Sequence, residues 1–262
     1  MIHAQSIDYS LQDLRNISQL AQNVHANTDL TIRQKAIKDA AMALGAQAGL
    51  RSIAIDINHF LSKNAAVLNK VYNFNALLLP HHILPPTVVA NYNTSNLSDN
   101  AQSLSINGEA YHIIKPAKFV VNPPNWRDYL WMDYQKPKLP DASLFPKNDE
   151  EQRLWDKSIN VAWQEGIKQG LSIFQTSMKH LTRDFKGMLL FKELVTKGMI
   201  TMPKVAFEQN GITGDKRHLV IDNNKWQLSK NSSFNLAASE WKPVLSMRGI
   251  KHDFKQFENH RK

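Results

Sequence analysis

The chain has 262 residues, 42% hydrophobic and 21% charged, which is material for one large domain or two small ones and excludes a disordered polymer. Its 32 basic and 23 acidic residues give a net charge of +9, which favours nucleic acid, anionic head groups or an acidic protein surface without choosing among them. It has no cysteine, which excludes disulfides, thiolate metal sites, a cysteine nucleophile and cysteine lipidation in the sequence as written.

The opening residues, MIHAQSIDYS, lack the basic and then apolar run of a signal peptide. The chain is therefore expected to be either cytoplasmic or a mature or shortened form of an exported protein. Leu11, Leu14, Ile17, Leu20 and Ala21 recur at helical spacing, so residues 1–28 are expected to form a helical segment. Asn27, Thr28 and Asp29 supply capping side chains for a second helix, and helix is expected to continue to about Leu79. There Ala40, Leu44, Ala48, Ile53, Ile57 and Phe60 or Leu61 lie near one face. The small residues from Ala40 to Gly49, with Gly45 and Gly49 among them, predict close approach of a neighbouring helix.

From Pro80 the texture turns to β. TVVANY, SLSINGEAYHII and AKFVV are rich in β-branched residues, and Asn107-Gly108 predicts a hairpin turn between Leu104–Ile106 and Tyr111–Ile113. Residues 149–199 read as one long helix or two in tandem, capped by Asn148 or Asp149 and stopped by Gly198 and Pro203. Its stripe runs through Ile159, Ala162, Trp163, Ile167, Gly170, Phe174, Met178, Leu181, Phe185 and Met188. A strand at Lys204–Phe207, a turn at Ile212–Asp215 and a second hairpin around Asn223-Asn224 follow, and the chain ends in a basic tail, 242–262. The class expected is α+β: a helical N-terminal part and a long central helix packed with small antiparallel hairpins. Residues 29–241 are expected to form a single domain.

Motifs of catalysis are missing. The sequence holds no H-E-x-x-H, Walker loop, G-x-S-x-G or dinucleotide glycine fingerprint. His81-His82 is a poor metal pair, since adjacent side chains diverge on any regular element, and GITGD (211–215) lacks the lysine and helix of a phosphate loop. No catalytic residue, metal or cofactor is assigned, and a hydrolase has no motif behind it. A basic nucleic-acid-binding accessory protein of a conjugative transfer system is the alternative function, although the aromatics lie at helix or strand spacing with acids among them.

The blocks ALGAQAGL (43–50), LPPTVV (84–89), NPPNWRDYLWMDYQKPKLP (122–140), LFPKNDEE (144–151), WQEGIKQG (163–170), RDFKGM (183–188) and GITGD occur in that order. Together they resemble the DotC family of the Dot/Icm type IVB secretion apparatus and its counterparts in IncI-type conjugative plasmids. The resemblance implies a non-enzymatic component of an outer-membrane core complex, periplasmic, with DotD-like and DotH-like partners and no small-molecule substrate. It also implies a lipid anchor on a mature N-terminal cysteine, which this sequence does not contain; outer-membrane association would then come through the complex.

The tryptophan block holds the candidate residues Trp126, Arg127, Tyr129, Trp131 and Tyr134. Asn125 is expected to cap a short helix with Trp126, Tyr129 and Leu130 on one face and Trp131 and Tyr134 or Gln135 on another. That helix is expected to be pinned to the long one near Trp155 and Trp163. Two readings stand open: core packing, or a face shared with a partner, since Trp, Tyr and Arg dominate interface hot spots.

Overall fold

The long helices carry the fold, and small residues set where they meet. In the computed structural model, which describes Leu11 and residues 30–97, 104–209, 211–221 and 224–242, four helices and four antiparallel strand pairs give the expected α+β class. The expected segment 1–28, apart from Leu11, the caps Asn27 to Asp29 expected for the second helix, and the tail beyond Lys242 lie outside the described residues. The chain divides into two compact units, Met1–Tyr72 with Asn125–Leu181 and Asn73–Pro124 with Thr182–Lys262.

In the first unit, α1 (Leu30–Lys63) and the short α2 (Ala65–Val71) are followed, after the second unit's first segment, by α3 (Trp126–Leu130) and by α4 (Asp149–Thr196) as far as Leu181, the rest of α4 belonging to the second unit. Helix does not continue to Leu79. The chain leaves helical geometry at Tyr72, and Asn73 Oδ1 accepts the Ala76 N–H at 3.2 Å in a local turn. The core gathers Ile37, Ala41, Leu44 and Ala48 of α1 with Trp155, Ile159 and Trp163 of α4. Burying each large side chain there is worth about 1.5–3 kcal/mol. The two helices touch backbone to backbone: a Cβ on Gly45 would lie 2.8 Å from the Ile159 carbonyl oxygen, and one on Gly166 would lie 2.8 Å from the Leu50 nitrogen and run into the Ala46 carbonyl. Two of the sequence blocks, ALGAQAGL and WQEGIKQG, are thus the two sides of one crossing.

α4 is one uninterrupted helix of 48 residues. Asn148 caps it, its Oδ1 accepting the Glu151 N–H at 2.9 Å. At the other end Gly198, at φ 70°, closes a left-handed cap in which the Gly198 N–H reaches Val195 O and the Met199 N–H reaches Leu194 O. Glu151 is buried and takes Arg33 Nε at 2.7 Å and the Lys147 N–H at 2.9 Å. Burial pushes its pKa up, but the hydrogen bonds and charge of Arg33, with the Lys147 N–H, outweigh that and hold it below the usual carboxylate range.

In the second unit, β1 (Ile83–Leu84) pairs with β4 (Lys118–Phe119), and β2 (Thr87–Leu97) forms a long ribbon with β3 (Leu104–Lys115). Asn107-Gly108 is not the turn. Asn107 lies within β3, paired with Thr94, and the connection falls in 98–103, outside the described residues. The register explains the choice: it sets Val88 against Ile113 and Val89 against His112, joining two β-branched runs and sending Val88 into a core with Leu79, Ile83, Phe191, Leu194 and Ile200. The RDFKGM block ties α4 to this ribbon. Buried Asp184 takes Lys115 and Arg183, Phe185 meets Phe74 edge-on at 5.2 Å, and a Cβ on Gly187 would lie 2.7 Å from Val88 O.

The C-terminal strands also correct the sequence reading. β5 (Lys204–Gln209) pairs with β8 (Asn224–Lys230), and β6 (Ile212–Gly214) pairs with β7 (Leu219–Ile221), so no hairpin forms around Asn223-Asn224 and Ile212–Gly214 is strand rather than turn. The turn begins at Asp215, whose Oδ1 accepts the N–H groups of Arg217 and His218 at 2.8 and 2.9 Å. Those two bonds lower its pKa. This arrangement pairs Phe207 with Trp226 and Val205 with Leu228, which a turn at Asn223-Asn224 would forbid.

Candidate interaction site in the tryptophan block

Asn125 opens α3 with a capping box: its side chain accepts the Arg127 N–H at 3.1 Å, and Asp128 Oδ2 accepts the Asn125 N–H at 2.7 Å. Trp126, 1% exposed, is a core residue, and its indole N–H donates to Asn69 Oδ1 at 2.7 Å. The Arg127 guanidinium lies 4.2 Å over that ring, outside the core, in a cation–π contact. Leu130 is fully buried, while Tyr129 and Tyr134 are half-buried.

The helix ends sooner than its aromatic spacing predicts. Trp131 is already extended (φ −69°, ψ 126°), so Trp131 and Tyr134 share no helix face. Side chains of α1 capture the backbone instead. The Asn58 carboxamide pairs with both main-chain groups of Met132, at 2.6 and 3.1 Å, and the Arg51 guanidinium donates to Tyr134 O. The block is therefore anchored on α1 and α2 through Arg51, Asn58 and Asn69, while Trp155 and Trp163 lie in the α1–α4 core. Sequence reading missed these three anchors. Two of them carried a signal: Arg51 and Asn58, seven residues apart, fall on one face of α1 as a polar pair with a backbone to satisfy, whereas Asn69 lies on α2.

The residues of the block divide by burial. Trp126, Leu130 and Met132 are core, whereas Trp131 is 46% exposed beside exposed Arg127 and Asp133. A large ring is thus held outward on a segment fixed by four side-chain-to-backbone and indole hydrogen bonds.

Elsewhere, His81 and His82 both take left-handed backbone, at φ 63° and 56°, and the His81 ring stacks on Trp226 at 4.1 Å. The pair was read only as a poor metal site; no sequence signal announced the stack. Among the described residues no three His, Asp or Glu side chains converge in a way that could hold a metal ion. The Tyr111 hydroxyl donates to Glu109 Oε2 at 2.7 Å, and burial first, then that bond and the Glu109 charge, raise its pKa.

Compared with known protein families, residues 31–243 match a family described as type IV secretory system, conjugal DNA-protein transfer. The chain belongs to that family. The match begins in α1 and runs past the last strand, so it takes in the glycine crossing, the tryptophan block and the C-terminal ribbon. Membership makes the chain a component of a type IV secretion or conjugation system. No curated protein matches it.

Proposed function

We propose that the chain is a non-enzymatic structural subunit of the outer-membrane core complex of a type IVB secretion or conjugation system, of DotC type, assembling with DotD-like and DotH-like subunits in the periplasm. The observation that carries this reading is the use to which the sequence blocks are put. ALGAQAGL and WQEGIKQG make the helix crossing, LFPKNDEE makes the helix cap and the Arg33–Glu151 pair, and RDFKGM ties helix to ribbon. GITGD leads into the ribbon turn, and NPPNWRDYLWMDYQ anchors Trp126 while turning Trp131 outward. Six of the seven blocks are spent on such joints, as a scaffold requires.

The test is co-expression with the DotD-like and DotH-like proteins encoded by the same transfer system. The three are expected to co-purify from the outer-membrane fraction, and Trp131→Ala is expected to weaken the association while leaving the fold intact. No association in any combination, with transfer unimpaired after deletion of the gene, would sink the reading.

A further inference from the structure

We propose that the β5–β8 ribbon of the second unit, with β6 and β7 at its tip, is a contact surface for single-stranded nucleic acid, stacking bases on Trp226 and Phe207 and holding phosphates with the cations along it. This goes beyond the scaffold role and is independent of it.

The charge of the chain is not spread evenly. Residues 182–262 carry +7 of the total +9, and within them the ribbon and its tip, 204–230, hold five Lys and Arg against three Asp and Glu. On the ribbon Lys225 is offset by Glu208 at 3.5 Å, but Lys204, Lys216, Arg217 and Lys230 have no acidic partner among the described residues. Asp215, which accepts the Arg217 and His218 N–H groups, stays ionised in that turn, so Lys216 and Arg217 outweigh it by one charge. Unneutralised cations strung along a narrow ribbon suit a polyanion.

The rings decide which polyanion. Phe207 and Trp226 are a cross-strand pair with centroids 4.5 Å apart, 47% and 43% exposed. On the same ribbon face Val205 and Leu228 reach the core, so the rings stand one step outward from a fixed base. His81 covers part of Trp226, stacked within 28° of parallel. It is held there by two consecutive left-handed residues in a loop closed by the Leu79 N–H on Ile83 O at 2.8 Å. Left-handed backbone at two successive non-glycine residues is the kind of strain that preorganised sites carry. A flexible chain of phosphates and bases can run along so narrow a ribbon and meet the cations and the two rings in turn, without sequence preference.

Fluorescence anisotropy of a labelled thymidine oligonucleotide of about twenty residues, with the full chain, tests this. With about four phosphates engaged, affinity is expected to fall roughly fifty-fold between 50 and 200 mM salt. Trp226→Ala and Phe207→Ala are each expected to weaken binding roughly tenfold without changing the salt slope. Lys216→Glu with Arg217→Glu is expected to lower the affinity and flatten the slope. Trp226→Leu, which keeps apolar volume without a π-face, covers the case in which the alanine variant loses its circular dichroism spectrum. The proposal is overturned if the oligonucleotide fails to bind at 50 mM salt. It is equally overturned if Trp226→Leu binds like wild type while inorganic polyphosphate competes as well as an unlabelled oligonucleotide of equal charge, or if only an acidic protein is captured.

Discussion

Gly166→Ala offers the sharpest test of the helix crossing. In an exposed helix this change is stabilising by about 0.5–1 kcal/mol, because alanine loses less backbone entropy on folding. Here the new methyl would lie 2.8 Å from Leu50 N and collide with the Ala46 carbonyl, and both are backbone atoms that no rotamer change can move. The helices must part, loosening the seam of Leu44, Ala48, Ile159 and Trp163. Overpacking of this kind costs about 1–3 kcal/mol, so subtracting the propensity gain from the middle of that range leaves a net loss of about 1 kcal/mol. That corresponds to a fall in Tm of about 2–4 °C. Urea melts followed by tryptophan fluorescence report it, since Trp155 and Trp163 sit in the affected core. Gly108→Ala is the control, because a Cβ there meets nothing within 4 Å, and it is expected to stay within about 0.5 kcal/mol of wild type. A Gly166→Ala protein as stable as wild type, or more so, would refute the close crossing.

Three further outcomes follow from named joints. Glu151→Ala is expected to destabilise by about 3 kcal/mol at pH 7, the low end for breaking a buried pair because Arg33 is partly solvated and keeps the Ser143 and Phe145 carbonyls. The folded pKa of Glu151 is depressed, so its contribution is fully present above the unfolded value of 4.5 and is lost as pH falls through the folded value; acid titration of stability is expected to flatten in the variant over that window. Asn58→Ala leaves the Met132 N–H and C=O unpaired and is expected to cost about 1–3 kcal/mol in chemical denaturation, with a change in tryptophan emission as the Trp131 segment loosens. Gly198→Ala forces a side chain onto φ 70° and to 3.1 Å from Glu240 O, and is expected to lower stability by about 1–2 kcal/mol in the same assay.

Much of this architecture was legible from residue spacing. The α4 stripe from Ile159 to Met188 is buried or half-buried throughout, because a helix long enough to show its period many times leaves little ambiguity. The small residues of α1 announced a close neighbour, and Gly166 and Gly170 answer them. The hairpins misled for one shared reason. Asn107-Gly108 and Asn223-Asn224 are good turn sequences, but a turn is worth little beside the cross-strand pairs that a different register creates, here Val88 with Ile113 and Phe207 with Trp226. In the tryptophan block, aromatic spacing predicted a helix through Tyr134. Side chains from more than seventy residues earlier took the backbone hydrogen bonds that the helix would have used, which no local pattern reports. The same distance hid the His81–Trp226 stack.

The central claim is that the chain is a structural part of a larger assembly and that Trp131 faces a partner within it. Affinity purification of the chain from cells expressing its transfer system, wild type beside Trp131→Ala, measures this most directly. The account predicts that the DotD-like and DotH-like subunits are retained by the wild-type chain and depleted at least several-fold by the variant, with unchanged denaturation midpoints. A wild-type chain that purifies alone, or a variant that retains its partners in full, would contradict it.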